Sequence, residues 1–135
     1  MRFVDTNVLL YAVSTADDER DKTERALTLL DADDLAVSVQ VLQEFYVQST
    51  HRRRSTRLAH EQAVALVESW LRFRVQDVSV RVLRNAMATA ARWQISYWDA
   101  AIVEAAREAG CDRLLSVDLQ HGMDFAGVRV TNPFA

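Results

Sequence analysis

The chain has 135 residues and a formal net charge of −3, so overall basicity does not carry it onto nucleic acid. Half of its residues are hydrophobic, enough to build a core, and the length suits one domain spanning residues 1–135. Cys111 is the only cysteine, which excludes an intramolecular disulfide. No signal peptide is legible and no apolar run approaches the ~20 residues that span a bilayer, so the expectation is a cytoplasmic protein with no membrane association.

Arg2–Asp5 reads as a short buried strand, and Thr6–Ala12 as a helix with Leu9, Leu10 and Val13 on or near one face. A polar turn over 15–21 leads to a second helix, Asp21–Leu30, with Ala26, Leu27 and Leu30 spaced for burial. Leu35–Val37 is a second strand, and Ser38 is an N-cap for a helix to about Gln48. The run His51–Arg57 is a basic break, followed by a helix over 59–71 and a strand over 75–78. Ser79 caps a helix to Trp93. Ser96 opens another, with Asp99 at the capping-box acid position and Gly110 at its stop. Arg113–Val117 is a strand, a loop continues through Gly127, and Val128–Val130 closes the chain's strands. Short strands alternating with helices predict a three-layer α/β/α domain around a parallel sheet.

In such sheets ligands bind outside the carboxyl ends of the strands. Asp5 ends the first strand, Asp118 follows the fourth, Glu44 lies in the helix after the second, and Asp99 lies in the first turn of its helix. Taken singly, each acid has a local explanation: a helix cap, a turn or a solvated helix position. Yet each borders apolar sequence: Phe3 and Val4 for Asp5, Val41, Leu42 and Phe45 for Glu44, Ile102, Val103 and Ala106 for Asp99, Leu114 and Leu115 for Asp118. Carboxylates crowded beside apolar surface protonate or take a cation. Hard oxygen donors suit Mg²⁺ or Mn²⁺, while His51, His60 and His121 are scattered and give no zinc spacing. Asn7 and Ser116, two residues from Asp5 and Asp118, are candidates to orient a carboxylate or a metal-bound water. There is no phosphate-binding glycine loop, nucleophile elbow or Cys/His pair.

Four segments taken in order, F-V-D-T-N-V-L-L-Y (3–11), V-L-Q-E-F-Y (41–46), Y-W-D-A-A-I-V (97–103) and L-L-S-V-D-L-Q-H-G (114–122), resemble the PIN-domain family and within it the VapC-type toxins; G-V-R-V-T-N-P-F (127–134) is similar too. The resemblance implies a parallel sheet flanked by helices and Mg²⁺- or Mn²⁺-dependent RNA cleavage at Asp5, Glu44, Asp99 and Asp118. It also implies products with 5′-phosphate and 3′-hydroxyl ends, a homodimer, and silencing by a cognate antitoxin. One departure is Val117, where many relatives carry an acid.

An acidic pocket repels RNA, so positive charge must come from elsewhere. Arg52, Arg53, Arg54 and Arg57 form the clearest basic cluster, with Arg72, Arg74, Arg81 and Arg84 as further candidates. Trp93, Tyr97 and Trp98 are candidates to stack an RNA base or to pack in the core or a dimer interface. A dehalogenase-type phosphatase wants a second acid where Asn7 stands, and a response-regulator receiver wants a late lysine, whereas Lys22 is the only one. The remaining alternative is a catalytically silent PIN-like module that binds RNA or a protein partner.

Overall fold

The computed structural model describes residues 1–135. Its strands are β1 (Arg2–Val4), β2 (Leu35–Ser38), β3 (Arg74–Gln76), β4 (Arg113–Leu115), β5 (Asp124–Phe125) and β6 (Val128–Thr131). Its helices are α1 (Thr6–Ala12), α2 (Arg20–Leu30), α3 (Val39–Ser49), α4 (His60–Trp70), α5 (Val80–Trp93) and α6 (Tyr97–Glu108), with a 3₁₀ turn at Asp17–Glu19. The strands form one sheet in the order β3-β2-β1-β4-β6-β5. All neighbouring pairs are parallel except β5–β6.

The α/β alternation is as the sequence predicts, and the helix starts follow from side-chain chemistry. The hydroxyls of Ser38, Ser79 and Ser96 accept from the N–H groups of Val41, Val82 and Asp99, satisfying donors that a helix end leaves free. Helices flank the sheet in two groups. In one, α1 packs on α2 and α3, and α3 on α4. In the other, α5 pairs with α6, which lies along β2, β3, β4 and β6. Arg81 approaches Glu108 and Thr89 bonds Glu104, so α5 and α6 run antiparallel. No helix is long and apolar enough to cross a membrane.

Three expectations need correction. Leu27 is 52% exposed, because α2 turns Ala26 and Leu30 inward and leaves Leu27 on its outer side. The third strand is Arg74–Gln76, with Val78 64% exposed beyond it. The segment predicted as a loop before the last strand holds β5, an antiparallel hairpin partner of β6. Its two-residue turn is Ala126–Gly127, both at positive φ (52° and 100°), the primed geometry that matches strand twist. The Asp124 side chain braces it by accepting from the Gly127 N–H at 2.7 Å.

The core centres on Phe3, Val4, Val8, Leu9, Val37, Val41, Phe45, Val103 and Leu114, all fully buried. Phe45 meets Trp70 edge to face, with ring centroids 4.7 Å apart, and so joins α3 to α4. Phe45→Ala should lower unfolding stability by about 3–5 kcal/mol in urea titration, because it opens a cavity at this junction. A loss below about 1 kcal/mol would show that the junction collapses around the gap.

Candidate functional site

Adjacent parallel strands β1 and β4, with Val4 opposite Leu115, bring Asp5 and Asp118 to the same carboxyl edge of the sheet. Asp5 leaves β1 and caps α1. Its Oδ1 accepts from the Thr6 N–H and its Oδ2 from the Ser116 hydroxyl, both at 2.7 Å. The Ser116 oxygen in turn accepts from the Asp118 N–H at 3.3 Å. One fully buried serine thus joins the two aspartate segments.

The Glu44 side chain, on α3, is half-buried and accepts from the Gln40 amide at 3.0 Å. The same amide reaches the Trp98 carbonyl at 3.4 Å, tying α3 to the start of α6, where Asp99 sits. The Ser96 hydroxyl accepts from the Asp99 N–H, but the Asp99 carboxylate makes no return bond to the Ser96 N–H. The capping box is therefore incomplete and its acid is uncommitted.

Asp5 lies within electrostatic reach of Asp118 and Glu44, and Glu44 of Asp99 and Asp118. Asp5 is raised from 3.8 to about 6, chiefly by burial and in smaller part by the charges of Asp118 and Glu44, against the Ser116 and Thr6 hydrogen bonds. Burial also raises Glu44, opposed by Gln40 and reinforced by Asp99 and Asp118. None of the four is in an ion pair; every ion pair in the chain involves other acids.

This donor set fits a hard divalent cation. The Thr6 hydroxyl oxygen is buried beside Asp5 and has no partner. As placed, no three Asp, Glu, His or Cys side chains converge on one ion position. Mg²⁺ does not require that, since it keeps several waters and commonly uses one or two carboxylates.

The other candidates separate clearly. Asn7 is half-buried and lines a polar pocket with Leu10, Tyr11, Glu19, Gln48 and Arg54. Arg52, Arg53 and Arg57 are exposed, while Arg54 is half-buried. Arg72 is committed to the Ser69 and Leu30 carbonyls. Arg74 opens β3, at the end of the strand opposite the acids. Arg81 lies beside Glu108, at the far end of α6 from Asp99. Trp93 packs on Phe125 at 5.4 Å and belongs to the core side, whereas Trp98 is 66% exposed.

Gln40 escaped the sequence reading. Its signal was its place four residues before Glu44, where helical side chains meet. Thr6 escaped as well, hidden inside the motif segment that supplied Asp5 and Asn7.

A parallel sheet flanked by helices, with acids gathered at its carboxyl edge, defines a class of α/β domain. The sequence matches the PIN domain family over residues 2–122, and the chain belongs to that family. Its fold is similar to the VapC20 toxin of Mycobacterium tuberculosis, described as cleaving the sarcin–ricin loop. That similarity has 22% identity, covers 87% of this chain and 90% of that one, and has a TM-score of 0.69. A toxin–antitoxin complex from Klebsiella pneumoniae is similar over 98% of both chains, at 19% identity and a TM-score of 0.70. The DNA-bound VapBC of Salmonella typhimurium is similar over 96% of this chain and 95% of that one, at 18% identity and a TM-score of 0.66. No curated protein matches the sequence.

Proposed function

We propose that this chain is a metal-dependent endoribonuclease and the toxin half of a toxin–antitoxin pair. The observation that carries the reading is Asp5: a buried carboxylate, raised to about 6, grouped with Asp118 and Glu44 and paired with no cation. Membership of the PIN family and the likeness to toxins of toxin–antitoxin systems support the same reading.

Asp5, Glu44, Asp99 and Asp118 would hold Mg²⁺ or Mn²⁺. When bound, such an ion supplies an activated water at neutral pH and neutralises charge on a phosphodiester. Ser116 fixes the rotamer of Asp5 and the backbone of Asp118. Gln40 holds Glu44 in place, and Asn7 follows Asp5 by two residues on α1. These neighbours position the carboxylates. Arg52, Arg53, Arg54 and Arg57 supply the positive charge that RNA needs beside an acidic centre.

Two apolar surfaces support protein partners. A groove of about 610 Å³ between α3 and α4 is lined by Val39, Leu42, Val47, Val64, Val67 and Leu71 among others, and would take the antitoxin. Val78, Val80, Leu83, Met87 and Trp98 are exposed on and around α5 and would form the homodimer face.

The test incubates wild type and Asp99→Asn with a tRNA pool in Mg²⁺, Mn²⁺ or EDTA. Wild type should cut only with metal, and Asp99→Asn should lose more than about 100-fold, the most that loss of a supporting residue produces. Cleavage that survives EDTA or Asp99→Asn would sink the assignment. Binding without cleavage by wild type would favour the silent module.

A further inference from the structure

The site does not end at the carboxylates. Gln40, Glu44 and Gln48 are spaced four apart on α3 and share one face, as Asn7, Leu10 and Tyr11 do on α1. The two rows meet at Gln48, where α1 packs on α3. One helical turn beyond Glu44, about 5–6 Å along the helix, they open into a polar pocket of about 280 Å³ closed by Glu19 and Arg54.

Arg54 is set there by its loop. Its N–H bonds the His51 carbonyl at 2.9 Å, its carbonyl accepts from the Arg57 N–H at 3.3 Å, and Leu58 closes the loop on the Ser49 carbonyl at 2.8 Å. Of the four loop arginines it alone lines the pocket, and its guanidinium is in no ion pair. Glu19 is anchored through Oε1 by the Ser14 hydroxyl, and its Oε2 takes no hydrogen bond. An arginine and a glutamate therefore line one small pocket without pairing with each other.

That arrangement selects its occupant. A phosphate would meet the Glu19 carboxylate, so a lone anion is disfavoured. A nucleobase offering acceptors on one edge and donors on another satisfies both charges. Guanine does so: its O6 and N7 suit the Arg54 fork, and its N1–H and amino group suit the Glu19 oxygen. Adenine would set its amino group against a guanidinium that has only donors. The ring of Tyr11 is already met by Phe134 at 5.1 Å and by the Lys22 ammonium at 5.0 Å, so recognition here is by hydrogen bonding rather than stacking on that ring.

We propose that the Asn7–Gln48–Glu19–Arg54 pocket holds one unpaired guanine of the RNA beside the cut, with Arg54 and Glu19 setting the base preference. The proposal rests on the nuclease reading for its substrate class. The probes are fluorescent eight-nucleotide oligouridines carrying one central guanine, adenine or inosine, titrated by anisotropy in Mg²⁺ with full-length Asp99→Asn protein, which binds without cutting.

Guanine should bind about tenfold tighter than adenine, the factor expected of one bidentate base contact, and inosine, lacking the amino group, should fall between them. Arg54→Ala and Glu19→Gln, each added to the same background, should bring guanine to the adenine level; Arg54→Ala removes a cation and should also weaken all-uridine RNA, so the guanine-to-adenine ratio reads the subsite. Equal affinity for guanine and adenine, absence of RNA binding, or a guanine preference that survives both substitutions would overturn the subsite. Wild type that cuts these RNAs without base preference would retain the nuclease and remove the subsite. Selective guanine binding without any cleavage by wild type would do the reverse.

Discussion

Asp5→Asn should abolish cleavage and yet raise the melting temperature of the metal-free protein at neutral pH. Asp5 is 6% exposed, and its carboxyl is raised from 3.8 to about 6 in the fold, mainly by burial. The folded state therefore binds this proton more tightly than the unfolded chain does. The stability from protonated Asp5 is complete below about pH 4 and is lost as pH rises through about 6. The difference corresponds to about 3 kcal/mol for the ionised group at pH 7.

Asparagine removes the charge and keeps an oxygen for the Thr6 N–H, while its amide can donate to Ser116. In EDTA at pH 7.5 the variant should melt about 5 °C or more above wild type, and the gap should close near pH 4. Mg²⁺ should raise wild type and leave the variant nearly unmoved, because a ligand stabilises only the state that binds it. Calorimetry at the two pH values, with and without Mg²⁺, reads all three. A variant that melts below wild type at pH 7.5 in EDTA would mean that the carboxylate is not strained by burial. Stability given up at a reactive centre is a common trade, and it makes the loss of activity separable from misfolding.

Arg107→Ala should cost about 3 kcal/mol. Glu104 is 4% exposed on α6, the helix that carries Asp99. Its carboxylate takes the Arg107 Nε at 2.9 Å and the Thr89 hydroxyl at 2.8 Å. Arg107 also donates to the carbonyls of Phe125 and Ala126, at 2.6 and 2.7 Å, and so pins the β5–β6 turn to α6. Truncating the arginine leaves a buried charge with one partner and two turn carbonyls without theirs.

Total stability for domains of this kind is about 5–15 kcal/mol, so the single change consumes a large part of it. Adding Glu104→Leu should recover more than half of the loss, since the charge that needed a partner is gone. Urea midpoints of the two single variants and the double variant complete the cycle. A loss below about 1 kcal/mol for Arg107→Ala, or additive single losses, would show that the pair is not coupled.

Much of the site was legible because its parts have local chemistry. A strand that ends in Asp, a serine cap followed by an acid, and apolar runs interrupted by single carboxylates are all visible within a few residues. Glu104 was not legible. Beside Arg107 it reads as an ordinary i,i+3 surface pair, whereas Thr89, which donates to it, lies 15 residues upstream, and the Phe125 carbonyl that holds Arg107 lies 18 residues beyond that arginine. Only the packing of α6 between α5 and the sheet buries it.

By itself the sequence determined the alternation of strands and helices, the serine caps, and the placing of Asp5, Asp99 and Asp118 at or near element ends with Glu44 inside a helix, because periodicity and capping are short-range effects. The tertiary structure alone decided which of those acids meet. Parallel pairing put β1 between β2 and β4, and that order brings together residues separated by up to 113 positions, from Asp5 to Asp118. It also decided that Arg54 turns toward Asn7 while Arg52, Arg53 and Arg57 stay in solvent, and that Leu27 faces outward. Whether a side chain is buried, paired or free depends on chain segments far away in sequence, and a local pattern fixes only the face it occupies.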